Sequence, residues 1–184
     1  MAELEAKHQI ETDWLPYELR PEPVPLPDVN GPDGERFRAG WQRGVAPLAE
    51  QFGVEMNFPP VKPRSRKAHE AAEFAREHDR FEAMRRALFE AYFVANRDIS
   101  ETAVLLDVAK SVGLDPEALG RDLASGRLTG RVDELEEVSR RVGVTAVPTI
   151  VIGGLAVEGV RPYHVLRQVL EEAERRASAG ASAG

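Results

Sequence analysis

The side chains able to do chemistry stand, for the most part, at spacings that chemistry does not use. His69–Glu73 reads HEAAE on a predicted helix, which sets His69 and Glu73 one turn apart on a shared face. Zinc peptidases use His-Glu-x-x-His because two imidazoles at i and i+4 face one metal. Here the fifth residue is Glu73 and no third ligand follows, so the pair reads as a solvated polar face and no metal site is expected. Lys62, Arg64, Arg66 and Lys67 form a small basic cluster, expected to be a solvated helix start rather than an anion or partner patch. His8 and His164 stand alone. No serine sits in a nucleophile-elbow motif. Gly126–Gly130 (GRLTG) and Gly153-Gly154 lack the context of a phosphate loop and read as turns. There is no cysteine, which removes disulfides, thiolate metal sites and thiol nucleophiles from this chain. No catalytic residue and no cofactor are assigned.

The totals narrow the classes further. Apolar residues at 42% can build a sizeable core, and charged residues at 30% suit a solvated surface. A formal net charge of −7 argues against nucleic acid as a partner, since affinity for phosphate backbones depends on Lys and Arg. Apolar runs are short, as in Val147–Ile152, far below the roughly 20 residues of a membrane span. Glu3, Glu5 and Lys7 occupy the place of a signal peptide's apolar centre. The expectation is a cytoplasmic protein with no membrane partner.

The elements follow from periodicity. Gln9–Leu15 (QIETDWL) alternates, with Ile10, Thr12 and Trp14 on one side and Glu11 and Asp13 on the other, which is the strand period. Pro16 ends it, and Pro21–Pro32 is a Pro- and Gly-rich extended connection. From Glu35 to Val142 the signals are helical. Glu35–Phe52 is weakened by Gly40 and Gly44 and divided by Pro47. A second helix runs from the cap Ser65 to Glu77. Phe81, Met84, Leu88 and Tyr92, widened by Phe89 and Phe93, form a core-facing stripe on a third. Ser100 caps a helix that stops at Gly113. Asp115 followed by Pro116 starts the next, and Arg131–Val142 is the last of the block. The period then returns to strands. Val147–Ile152 and Leu155–Glu158 flank the hairpin signal Gly153-Gly154, and Pro162 opens a final helix. The tail, 178–184, is low-complexity and expected to be disordered. Strands this far apart must share one sheet to bury their apolar faces, with the helical block beside it.

The segment Gly143–Val160 reads GVTAVPTIVIGGLAVEGV. On spacing alone Pro148 is an ordinary trans proline opening an edge strand. The Gly-Val-x-x-Val-Pro-Thr segment before a hairpin and a terminal helix nevertheless resembles the second half of a thioredoxin fold, which implies a cis Val147–Pro148 bond. Trp14–Pro21 (WLPYELRP), Ser65–Arg76, Ala87–Ser100 (ALFEAYFVANRDIS) and Leu114 with its surroundings extend the likeness over residues 8–177. Together they look like the FrnE branch of the DsbA family of oxidoreductases. A related branch, the 2-hydroxychromene-2-carboxylate isomerases and kappa-class glutathione transferases, carries an aromatic-Gly-x-Asp-Arg segment after the hairpin. Glu158–Pro162 here is EGVRP, so that branch fits less well.

The resemblance implies an α/β protein: a thioredoxin-like fold with a large all-helical insertion and its first strand missing. Residues 1–30 and 144–177 would be the thioredoxin-like halves and 31–143 the helical insertion. In the family the first strand and helix carry a Cys-x-x-Cys pair, or a Ser in the isomerase branch. This chain starts where that helix should be ending, with Met1–Lys7 as its last turns, so neither motif has a counterpart here. What carries over is the substrate side, Val147, Pro148 and Thr149, where an extended polypeptide or a small thiol substrate would lie. Without the central strand, Gln9–Leu15 and Thr149–Ile152 would expose unpaired edges. They are therefore expected to pair directly, to take a strand from another chain (a homo-oligomer through open edges), or to belong to a longer natural protein. The expected function is the thiol-disulfide oxidoreductase lineage without thiol exchange by this chain; a non-catalytic binding module is the rival.

Overall fold

The computed structural model describes residues 2–8 and 10–181. The chain forms two compact units, one made of 1–19 with 134–184 and the other of 20–133.

In the first unit, helix α1 (Ala2–Lys7) and the long helix α9 (Tyr163–Ala181) accompany a two-stranded antiparallel sheet, β1 (Thr149–Ile152) with β2 (Leu155–Glu158). The register pairs Thr149 with Glu158 and Ile152 with Leu155. The turn between them works because Gly153 and Gly154 both take positive φ, 55° and 80°, as a two-residue hairpin loop of this twist requires. Leu4, Leu166 and Leu170 are the buried centre, and Ile10, Ile150, Ile152, Val157 and Tyr163 pack on them. The alternation of β1 thus puts both isoleucines on the core face. α9 continues to Ala181, past the point where the sequence pattern ended it; residues 182–184 of the tail lie outside the described residues.

The second unit is helical. α2 (Pro32–Gly40) and α3 (Ala46–Phe52) are joined by a π-helical stretch, Trp41–Val45. Pro47 therefore widens the helix rather than dividing it. It has no N–H to bond back with and its ring crowds the preceding turn, and the Ala46 N–H reaches to the Trp41 carbonyl instead. α4 (Arg66–Arg76), α5 (Phe81–Phe89), α6 (Thr102–Ser111) and α7 (Pro116–Ser125) follow. α8 (Thr129–Arg141) starts two residues before the expected Arg131, and the division between the units falls within it. The core of this unit is built on Ala71, Phe74, Met84, Leu105, Ala109 and Leu119.

Two local expectations need correction. Ser100 is not the cap of α6, whose N-cap is Glu101. Its N–H and hydroxyl both donate to Asp98 Oδ1 (2.8 and 2.6 Å), a turn closed by Asp98 ahead of the helix. The aromatic stripe is also broken: Met84 and Leu88 are buried, but Phe89 is half exposed. A second π-helical stretch, Glu90–Val94, follows it, and Tyr92 and Phe93 within that stretch are half-buried.

Candidate functional site

In the first unit, β1 has a strand neighbour on one side only among the described residues. A two-residue hairpin closes on a pair that exchanges both backbone bonds, and bonded pairs alternate with pairs that turn their N–H and C=O outward. Ile152 and Ile150 therefore bond to β2. The pattern continues at Pro148, whose carbonyl accepts the Gly159 N–H at 2.8 Å. Thr149 and Val151 present their N–H and C=O groups at the opposite edge, where no strand among the described residues pairs with them.

That edge forms one wall of a groove of about 400 Å³. The other wall is Ile10–Trp14, and Leu4 and Leu170 lie in its floor. The expected strand at Gln9–Leu15 is not formed: Gln9 lies outside the described residues, and 10–15 run without ladder pairing. The two segments have not closed up and paired directly either. Leu4 from α1 and Leu170 from α9 line the groove with both segments, and Ile10, Ile150 and Ile152 pack on that same leucine cluster. The alternation read from QIETDWL holds as an exposure pattern only as far as Asp13: Ile10 and Thr12 are half-buried and Glu11 and Asp13 are exposed, but Trp14, expected on the side of Ile10 and Thr12, is exposed too. A strand also needs a partner at ladder distance, roughly 4.8 Å.

One buried polar atom in the wall is unanswered. Thr12 Oγ1 has no hydrogen-bond partner among the described residues. Such a group ordinarily costs about 1–3 kcal/mol and is satisfied once a donor or acceptor enters beside it.

Of the three residues assigned to the substrate side, the structure brings Thr149 into the groove, while Val147 and Pro148 lie on the approach to it and outside its lining. The Val147–Pro148 peptide bond is cis, as is Glu22–Pro23. The loop is tied down on both flanks. Thr149 Oγ1 donates to the Ala146 carbonyl at 2.6 Å, and Thr145 Oγ1 donates to Glu158 Oε1 at 2.9 Å. Val147 itself is exposed, and no described residue hydrogen-bonds its N–H or C=O. Ile10, Thr12 and Val151 were not singled out as site residues from sequence. The signal for the first two was their alternation, which names a face but not what it faces.

His69, Glu73 and three of the four residues of the basic cluster, Arg64, Arg66 and Lys67, have structural roles. Glu73 is buried and accepts from Arg76 Nε at 3.1 and 3.2 Å, with Arg131 at 3.8 Å. His69 stands apart from it, its Nε2 enclosed without a partner, and burial pushes its pKa down to about 4 with Arg66 adding to the effect. Of the basic cluster, Arg66 donates to Asp133 at 2.6 Å and Lys67 to Thr102 at 3.2 Å. Arg64 donates to the carbonyls of Arg20 and Val24. His8 Nε2 and the Tyr163 hydroxyl share a hydrogen bond at 3.2 Å. No described helix is long and apolar enough to cross a membrane.

One unit holds a hairpin and a terminal helix with an open strand edge and the other is helical, elements that fit a thioredoxin-like fold with a helical insertion. The DSBA-like thioredoxin domain model matches residues 1–171, and the chain belongs to that family. The uncharacterized protein YwbO of Bacillus subtilis (strain 168) is 30% identical over 171 residues, 91% of this chain and 84% of that protein. The ClpXP adapter protein SpxH of Staphylococcus aureus is 26% identical over 92 residues, 46% of this chain and 35% of SpxH. Among solved structures, a probable DsbA oxidoreductase from Streptomyces coelicolor superposes with TM-score 0.68 at 21% identity, covering 85% of this chain and 72% of the other. A 2-hydroxychromene-2-carboxylate isomerase gives 0.63 at 20%, covering 84% and 75%. Both likenesses show the shared fold.

Proposed function

We propose that this chain is a FrnE-like member of the thiol-disulfide oxidoreductase lineage that supplies the substrate-side half of the machinery and performs no thiol exchange itself. An extended polypeptide would lie along Val147, Pro148 and Thr149 and add to the open edge of β1, bonding through the backbone as strands do when they join a sheet. The observation that carries this reading is the groove, with the outward N–H and C=O groups of Thr149 and Val151 on one wall and the unanswered Thr12 hydroxyl on the other. A small thiol compound at the same loop, or a second copy of the chain at the open edge, is a competing occupant. We assign the protein to the cytoplasm, which fractionation of its source cells tests.

Thiol exchange proceeds by attack of a thiolate on a disulfide sulfur, and these 184 residues contain no cysteine. The test is reduction of insulin by dithiothreitol with and without the chain. The expected result is the uncatalysed rate. Acceleration that survives repurification and scales with the protein would overturn the reading.

A binding-module reading has one observation of its own: a relative over 92 residues is named as an adapter protein. Under it the folded chain holds a partner polypeptide with no redox change in either. The isomerase branch is less well supported, because Glu158–Pro162 (EGVRP) lacks that branch's aromatic-Gly-x-Asp-Arg segment.

A further inference from the structure

Three segments of the helical unit converge on two phenyl rings. Lys62 Nζ lies 5.6 Å from the centroid of Phe37 and 5.5 Å from that of Phe58. Arg20 and Arg36 stand over Phe37 at 6.0 and 5.6 Å, and Arg38 stands over Phe58 at 5.0 Å. Arg64, bonded to the Arg20 and Val24 carbonyls, fixes the backbone that presents Arg20. These cations are not equally neutralised. Arg36 pairs with Asp33 at 2.9 Å and Arg64 with Glu22 at 3.5 Å. Arg20, Arg38 and Lys62 have no ion pair among the described residues. Lys62 is half-buried, and burial together with Arg20 lowers its pKa.

Arg20, Arg38 and Lys62 thus share two rings without a carboxylate partner among the described residues, in a chain of net charge −7, and Arg20 acts unfavourably on the charge of Lys62. Attraction to the ring faces offsets part of that, on the order of 0.5–1 kcal/mol per cation at exposed sites. An incoming anion would relieve more of it. The surface is open, with Arg36 and Arg38 exposed and Phe37, Phe58 and Lys62 half-buried. Small ligands need a cleft that buries most of their surface, whereas an open face of cations and rings suits a chain laid across it.

We propose that the face formed by Arg20, Arg38 and Lys62 on Phe37 and Phe58 docks an acidic peptide segment of a partner protein. Carboxylates spaced along the segment meet the three cations, and the phenyl rings take the aliphatic stems between them. The acidic remainder of the surface turns the same partner away elsewhere, which fixes where it lands.

The test is fluorescence anisotropy of a fluorescein-labelled nine-residue peptide of alternating Glu and Ala, titrated with the full chain at low salt. Lys62→Ala and Arg38→Ala should each weaken binding at least about fivefold, with Lys62→Arg retaining it, because desolvated charge pairs dominate such contacts. Lys110→Ala removes the same charge from an exposed site on α6 and should leave affinity within about twofold. Equal losses in Lys110→Ala and Lys62→Ala would mean diffuse attraction and overturn the proposal. So would a matching Lys-Ala peptide that binds as well. Tripolyphosphate binding that depends on Lys62, with the Glu peptide silent, would make this a small-anion site and also overturn it.

Discussion

The backbone N–H of Glu18 donates to Oε1 of Glu136 at 2.9 Å, joining positions 118 residues apart inside the first unit. Both residues are buried, at 8% and 5% exposure. Three residues along α8, Ser139 donates to the Pro16 carbonyl at 3.2 Å. The segment after the groove wall is therefore pinned to α8 by side chains rather than by a ladder. Glu136→Ala leaves a buried donor without an acceptor, which costs about 1–3 kcal/mol, or some 2–4 °C of Tm per kcal/mol at this chain length. Glu136→Gln keeps an acceptor oxygen and should lose less than half as much. Thermal melts followed by circular dichroism separate the two; equal losses would show that the acceptor is not what matters.

The acid limb of stability should carry the signature of His69. Burial holds its folded pKa near 4, against about 6.5 in an unfolded chain. Between those values the unfolded state binds the proton and the folded state does not, so stability rises with pH. Its contribution is complete above about pH 6.5 and is lost as the pH falls toward 4, at up to roughly 1.4 kcal/mol per pH unit. Glu77 and Glu82 are held below the usual carboxylate range by hydrogen bonds from Arg127 and Arg85, so they act below that window. His69→Leu should flatten urea-unfolding free energies between pH 5 and 6.5. An unchanged slope would assign the acid sensitivity elsewhere.

What could be read in advance divides by how local its cause is. Asp115 caps α7 as the Asp-Pro pair implied, its Oδ1 accepting the N–H groups of Glu117 and Ala118 at 2.8 and 3.2 Å. The Gly153-Gly154 hairpin is equally local. The groove is not. Alternation over residues 10–13 names a packed side, but ladder formation depends on a neighbour that the segment itself does not encode. Buried carboxylates were illegible for the same reason: Glu70 accepts from Thr129, 59 residues away, at 2.7 Å. The π-helical stretches at Trp41–Val45 and Glu90–Val94 escaped a reading that assumed 3.6 residues per turn throughout.

Gly153 is constrained twice and Gly154 once. A Cβ on Gly153 would lie 2.6 Å from that of Ala173 on α9, and its φ is +55°. Gly154 has φ +80° and nothing within 4 Å of such a Cβ. Gly154→Ala should cost about 1–2 kcal/mol for the left-handed backbone alone. Gly153→Ala adds overpacking of about 1–3 kcal/mol, because Ala173 is carried by a helix backbone that must shift. Chemical denaturation of the two variants gives the order, and equal midpoints would contradict the close approach to α9.

The edge of β1 can be tested without disturbing its other side. Val151 turns its N–H toward the groove, whereas the Ile150 N–H belongs to the ladder with Val157. Proline removes a backbone donor, and its φ near −65° lies within the extended region. Val151→Pro should thus delete one bond available to an incoming strand and leave the hairpin paired, while Ile150→Pro should break the hairpin itself. A labelled peptide of alternating Thr and Val is the probe, with binding read by anisotropy and the hairpin by amide hydrogen exchange at Val157. Weakened binding in Val151→Pro with protected Val157 would place the peptide on the β1 edge. Undiminished binding in that variant would place it elsewhere, and the groove would lose its standing as the substrate side of this protein.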